Sequence, residues 1–278
     1  MRVNVAIVTN KRSLKVTNVR RTDAVNALKM TDSMIRLIES KLRQKWSPAQ
    51  ISGWLLEEHQ QPLSRETIYL HIWADKASGG DLYCHLRRKG KAYQSRSKTQ
   101  VGRGHIKNRV GIEERPAIVD KKERVGDWEI DLVIEKGHRG ALVTIVEHMT
   151  SFTVSKRINN KSAKIATAAT IALLSPLKEA VHTITVDNGK EFAYHEQVAK
   201  AFDAKVYFAD PYSSWQRGLN ENTNGLLRQY WPKSTDFRKV SANEVSSIII
   251  KLNDRPRKKL GYKTPAKLMT EHMAAIAA

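Results

Sequence analysis

The chain has 278 residues, with 48 Lys/Arg against 28 Asp/Glu, a formal charge of +20 and a pI near 10.0. That excess points to a polyanionic partner, and a hydrophobic content of 41% excludes a disordered basic tail. A single cysteine, Cys84, excludes a disulfide framework and any multi-cysteine zinc site. No apolar run approaches the roughly 18 residues of a membrane span, and Val3 to Val8, interrupted by Asn4, is too short for a signal-peptide core. The expectation is a soluble cytoplasmic protein, associated with the nucleoid and with no membrane partner.

The charge is uneven. Residues 1–124 carry 26 Lys/Arg and 12 Asp/Glu, a net of +14, whereas residues 125–278 carry 22 and 16, a net of +6. In chain order, residues 1–45 form a basic segment whose only clear pattern is a helix over Ala24 to Leu42, with Leu28, Met34, Ile35, Ile38 and Leu42 as its apolar positions. Residues 46–80 predict two further helices. Ser47 is a capping residue, Pro48 suits a first helical position, and Gln50 completes a capping box. Ile51, Trp54 and Leu55 share one face, and after a polar break Ser64 caps a second helix with Thr67, Ile68, Ile72 and Trp73 at helical spacing. Two such helices are either a plain hairpin or a helix-turn-helix, and the charge of this half favours DNA. In that arrangement Ser64, Arg65 and Thr67 lead the recognition helix. Residues 81–122 read as a basic linker. It has no acid from Leu82 to Ile112, and Arg87, Arg88 and Lys89 open a basic run that is either a solvated linker or a phosphate contact, the helical signals upstream favouring phosphate.

From residue 123 the pattern changes. Strands are predicted over Trp128 to Glu135, Ala141 to Val146 and Phe152 to Lys156, then a helix over Ser162 to Leu174. A strand over Val181 to Val186, a helix over Glu191 to Phe202 and a strand over Lys205 to Ala209 follow. Helices then cover Gln216 to Tyr230 and Ala242 to Asn253, and a short one starts at Thr264-Pro265. This order predicts an α/β layer with a mixed five-stranded sheet over residues 123–278. Three acids stand out in it. Asp131 interrupts an apolar strand, Asp187 ends the fourth strand, and Glu221 lies on the helix after the last strand. A charge in a core strand is costly unless it is paired or binds metal. Three converging carboxylates form a hard oxygen site suited to Mg²⁺ or Mn²⁺, and two such ions suit phosphodiester chemistry. Taken singly, each acid also has an ordinary reading: an edge-strand residue, a turn, a solvated helix position.

These segments carry a resemblance. Gly126-Asp127-Trp128-Glu129-Ile130-Asp131, Thr185 to Phe192 around Asp187-Asn188-Gly189, and Asp210 to Tyr230 resemble the three catalytic motifs of bacterial insertion-sequence transposases with an integrase-type core. Thirty-three residues separate Asp187 from Glu221, as is typical of that group. The segment Trp46–Trp73 and Ile112-Glu113-Glu114-Arg115-Pro116 are similar to the insertion sequence thirty family in particular. The resemblance runs from about Trp46 to the C-terminus. It implies a ribonuclease H-like core and DDE chemistry, with Asp131, Asp187 and Glu221 as ligands of two Mg²⁺ or Mn²⁺ ions. Asp127 is the rival first ligand, and the Trp-Glu-x-Asp pattern favours Asp131. The resemblance further implies that Arg228, two turns after Glu221, holds a phosphate. Asn220 and Asn224 would position Glu221 or the DNA, and Arg217 would sit in a loop beside the site. Arg255, Arg257, Lys258 and Lys259 form a late basic cluster that either tracks target DNA or is the charge of a solvated tail helix. It implies cleavage at element ends and strand transfer into a target. The partners would be the double-stranded terminal inverted repeats and target DNA, held by a homo-oligomer. Members of the family usually carry a further helix-turn-helix ahead of the segment that starts here near Trp46. The alternative expectation is therefore a truncated, non-mobile copy acting only by binding DNA. A hybrid-cleaving ribonuclease is disfavoured by the helix-turn-helix, and a retroviral-type integrase by the lone cysteine.

Overall fold

The computed structural model describes residues 30–87, 106–134, 140–211 and 213–277. The chain divides into two compact units, Met1–Ala92 and Tyr93–Ala278. In the first unit, α1 spans Asp32–Arg43, α2 Pro48–His59 and α3 Arg65–Ala77. Each begins where a hydroxyl satisfies an orphan amide. Thr31 accepts from Met34 N at 3.3 Å, and Ser64 from Thr67 N at 3.1 Å. Ser47 and Gln50 form the full capping box, with Ser47 N donating to Gln50 Oε1 at 2.9 Å and Gln50 N to Ser47 Oγ at 3.3 Å. The cap at Thr31 starts α1 later than the apolar pattern suggested. Leu28 and the rest of that expected helix before residue 30 lie outside the described residues. The pairs Ile38/Leu42, Ile51/Leu55 and Ile68/Ile72, each four apart, close a core with Trp46, Leu63 and Leu82. Trp73 does not join it. It lies one position around the helix from Ile72 and is exposed, with Tyr69 and Leu70, on the outer face of α3.

The second unit is built on a mixed sheet with one strand more than expected. Its strands are β1 (Val110–Gly111), β2 (Asp127–Ile134), β3 (Ala141–Glu147), β4 (Thr153–Ile158), β5 (Thr183–Val186) and β6 (Lys205–Phe208), in spatial order β1-β6-β5-β2-β3-β4. β2, β3 and β4 form an antiparallel meander, while β2, β5, β6 and β1 run parallel. The added strand, β1, comes from the segment assigned to the linker. Its two residues leave no alternating pattern to read.

Strand alternation sorts the side chains. Trp128, Ile130 and Leu132 of β2 enter the main core with Val143, Ile145, Ile184, Val186, Val206 and Phe208. Helices α5 (Ala163–Leu174) and α6 (His195–Phe202) pack on the sheet. The opposite β2 residues, Asp127, Glu129 and Asp131, share the other face with Val133, which enters a second cluster. That cluster is completed by α7 (Gly218–Leu227) and α8 (Ala242–Asn253). A five-residue helix, α4 (Ala117–Lys121), precedes β2, and α9 (Pro265–Ala277) ends the described chain. Some helix starts shift from expectation. Lys190–Phe192 and Ser214–Arg217 form 3₁₀ turns, so α6 and α7 begin at His195 and Gly218, and α9 starts where expected but runs for 13 residues rather than being short.

Candidate active site

The parallel pairing of β2 with β5 sets Glu129 opposite Thr185. Asp131 lies two residues further along β2 and Asp187 one residue past the end of β5, so the parallel pairing leaves the two acids near one another at the same end of the sheet. Arg217 bridges them. Its Nη1 lies 3.2 Å from Asp131 Oδ1 and its Nη2 donates to Asp187 Oδ2 at 3.4 Å. Each carboxylate also has a holder of its own. Asn224 Nδ2 donates to Asp131 Oδ2 at 2.8 Å, and Gly189 N donates to Asp187 Oδ1 at 2.8 Å. The Thr144 hydroxyl lies 3.1 Å from both Asn224 Oδ1 and the Asp131 carbonyl oxygen, which fixes the amide in turn. Burial pushes the Asp131 carboxyl up, Arg217 opposes this, and Asp187 reinforces it.

Glu221 is exposed on α7, four residues after Arg217 and three before Asn224, and so lies on the helix face that touches the pair. The structure does not add its carboxylate to the pair. Among the described residues, no three His, Cys, Asp or Glu side chains converge as a metal-binding group. The pair itself fits a cation. Two hard oxygen donors already share a guanidinium, and Glu221 stands about one turn from both α7-side residues that touch them.

Other expected residues separate into distinct roles. Asp127, the rival first ligand, is saturated. Arg124 Nη2 and Nε donate to it at 2.9 and 3.0 Å, and the Thr183 hydroxyl donates at 2.7 Å. Asn220 does not face outward. Its side chain is fully buried, and its backbone N–H donates to Glu129 Oε2 at 3.2 Å. Arg228 is engaged within the fold, with Nη2 donating to Ile134 O at 2.8 Å and Nη1 to Pro232 O and Trp231 O at 3.3 and 3.5 Å. Arg255 is buried, donating to Gln229 Oε1 at 3.0 Å and to the Tyr230 hydroxyl. Arg257 donates to Leu252 O, and Lys258 is exposed. In the first unit, Ser64 and Thr67 are occupied by the α3 cap, exposed Arg65 pairs with Glu66 at 2.7 Å, and Arg87 is exposed. Arg88 and Lys89 lie outside the described residues.

Two acids were not singled out from sequence. Glu129 is buried two residues before Asp131 on the same strand face, and burial pushes its carboxyl up to about 7. The period-2 spacing with Asp131 was the available signal. Its acceptance of the Asn220 N–H ties the first turn of α7, and hence the backbone of Glu221, to β2. Glu191, four residues after Asp187, is raised first by burial, and Asp187 and Asp131 add to the rise. Beside Glu129 lies a cavity of about 600 Å³ lined by Arg115, His148, Asp210, Trp215 and Gln216 among others.

The Integrase core domain family model matches residues 122–214, ending before Arg217 and Glu221. The transposase for insertion sequence element IS4351 of Bacteroides fragilis is 48% identical over 236 residues, which is 85% of this chain and 72% of that protein. Transposase InsI for insertion sequence element IS30A of Escherichia coli K12 is 39% identical over 250 residues, 86% of this chain and 65% of that protein. The transposase for IS1086 of Cupriavidus metallidurans is 37% identical over 243 residues, 84% of this chain and 71% of that protein. Among solved structures, the catalytic core domain of BIV integrase aligns at 18% identity with a TM-score of 0.43, covering 56% of this chain and 100% of that chain. The mixed sheet and the core-domain match agree with the integrase-type α/β core expected.

Proposed function

We propose that this chain, which belongs to the insertion sequence thirty family of transposases, binds the ends of its element and performs DNA strand cleavage and strand transfer at the Asp131–Asp187 face. The family implies polynucleotidyl transfer on DNA. The single observation that carries the site is the Arg217 bridge, two carboxylates gathered around one shared cation at the end of the β2–β5 pairing. In this reading Asp131, Asp187 and Glu221 hold two divalent ions, Mg²⁺ or Mn²⁺. Bound there, the ions supply activation of the attacking hydroxyl and stabilisation of the leaving oxygen.

The chain's own residues do the positioning. Thr144 holds Asn224, and Asn224 holds Asp131. The Gly189 amide holds Asp187. Glu129 anchors the start of α7, which presents Glu221. Water attacks at the element end to free a 3′-hydroxyl, and that hydroxyl then attacks the target phosphodiester at the same face. The capped helices of the first unit meet the terminal repeat as a helix-turn-helix, with Arg65 and Arg87 on the surface, and a homo-oligomer brings two ends together. The test is Asp187→Asn with Mg²⁺ on a duplex carrying the repeat that flanks the coding sequence. Joining is lost while binding, read by gel shift, persists. Joining at the wild-type rate overturns the assignment.

A further inference from the structure

Arg217 stands where two lines of physical reasoning meet. Its side chain is only 14% exposed, yet the carboxylates it bridges, at 24% and 18%, still reach solvent. Both contacts, at 3.2 and 3.4 Å, are longer than the roughly 2.7–2.9 Å of a committed charge-assisted hydrogen bond. Nη1 is buried and has no aligned hydrogen-bond acceptor among the described residues. Asp131 and Asp187 are each held instead by another donor at 2.8 Å, so neither needs Arg217 for its orientation. The guanidinium therefore contributes charge to the pair rather than shape. Its backbone closes the 3₁₀ turn Ser214–Arg217, next to Trp215 at 73% exposure and to Gly218, around whose Cβ position there is open space. The other arginine expected at this site, Arg228, is occupied by three carbonyls.

We propose that Arg217 is the resident counter-cation of the Asp131–Asp187 pair, that it competes with divalent metal for those carboxylates, and that a DNA phosphate draws it away, so that metal loading and DNA binding are coupled. This rests on reading Asp131 and Asp187 as metal ligands. A guanidinium cannot shed its charge to make room, so a divalent ion must displace it. Phosphate matches the same planar donor fork that the two carboxylates now occupy. Once DNA supplies that anion, the carboxylates are released to the metal. By linkage, metal then favours DNA to the same degree.

The experiment measures Mn²⁺ binding to the full chain by the electron paramagnetic resonance signal of free Mn²⁺, with and without a duplex carrying the flanking terminal repeat. Wild type binds Mn²⁺ weakly alone, and about tenfold more tightly with the duplex, a coupling within the usual range. Arg217→Gln binds Mn²⁺ about tenfold more tightly than wild type without DNA and gains little from the duplex. Arg217→Lys keeps the charge and therefore retains the DNA dependence, which a simple packing role for the side chain does not predict. Asp187→Asn abolishes binding in every background, which locates the ion. Mn²⁺ affinity that is unchanged or weaker in Arg217→Gln, while remaining sensitive to Asp187→Asn, overturns the coupling and leaves the metal site standing. Mn²⁺ binding absent from both proteins, with or without DNA, overturns the metal site and the coupling together.

Discussion

Replacing Arg228 by methionine distinguishes a phosphate contact from an internal strut. The aliphatic stem is kept and the guanidinium removed. The structure assigns that guanidinium to three backbone carbonyls, at 2.8 Å to Ile134 and 3.3 and 3.5 Å to Pro232 and Trp231. A hydrogen bond from a charged donor contributes about 1.5–3 kcal/mol, and the two longer contacts add about 1 kcal/mol between them. The variant is therefore destabilised by about 2–4 kcal/mol. For a unit of this size that lowers the thermal midpoint by about 4–16 °C, at about 2–4 °C per kcal/mol. Thermal unfolding followed by tryptophan fluorescence reads it. Duplex affinity is measured at several salt concentrations below the midpoint. Its salt slope stays at the wild-type value, whereas a lost phosphate contact lowers the slope by about 0.9. An unchanged midpoint together with a reduced salt slope refutes the strut and restores Arg228 to the DNA.

Further outcomes follow from other buried charges. His148 is buried, neither ring nitrogen has a hydrogen-bond partner among the described residues, and burial, with Arg115 and Lys122 adding, lowers its pKa from 6.5 to about 4. The unfolded chain then binds more protons than the folded one between those values, so stability is complete above pH 6.5 and falls as pH drops toward 4. The loss attributable to this group is about 3 kcal/mol, and His148→Phe flattens that part of the profile in urea unfolding at stepped pH; a profile of unchanged steepness counts against it. Asp127→Asn removes a saturated ion pair and lowers stability by about 1–3 kcal/mol, yet it leaves Mn²⁺ binding intact. Loss of Mn²⁺ binding in a folded Asp127→Asn protein would return Asp127 to the site.

Much of the fold was legible because its signals are local. Ser47 with Gln50, and Ser64 ahead of Thr67, mark helix starts through bonds spanning three residues, and the structure makes those same bonds. The strand over Trp128 to Glu135 was recognisable despite two acids. In the structure that strand starts one residue earlier, and its alternation puts Asp127, Glu129 and Asp131 on one face. Trp73 was misplaced because an exposed aromatic and a core aromatic look alike in a helical repeat; the angular position relative to Ile68 and Ile72 decides between them. β1 was unreadable because two residues carry no period, and only a partner strand makes them a strand.

Which residues carry charge, where hydroxyl caps begin helices, and the place of Asp131, Asp187 and Glu221 in segments of the insertion-sequence transposase pattern are all readable along the chain. These are properties of composition and short-range geometry. How the charges are used is settled by folding, because an ion pair depends on distance in space rather than along the chain. It separated three arginines that look alike in sequence: Arg217 on the carboxylate pair, Arg228 on backbone carbonyls, and Arg255 in the interior. It likewise separated Asp127, saturated by Arg124 and Thr183, from Asp131, which shares Arg217 with Asp187. Strand register and burial make that distinction, and neither is encoded in the identity of the residue alone.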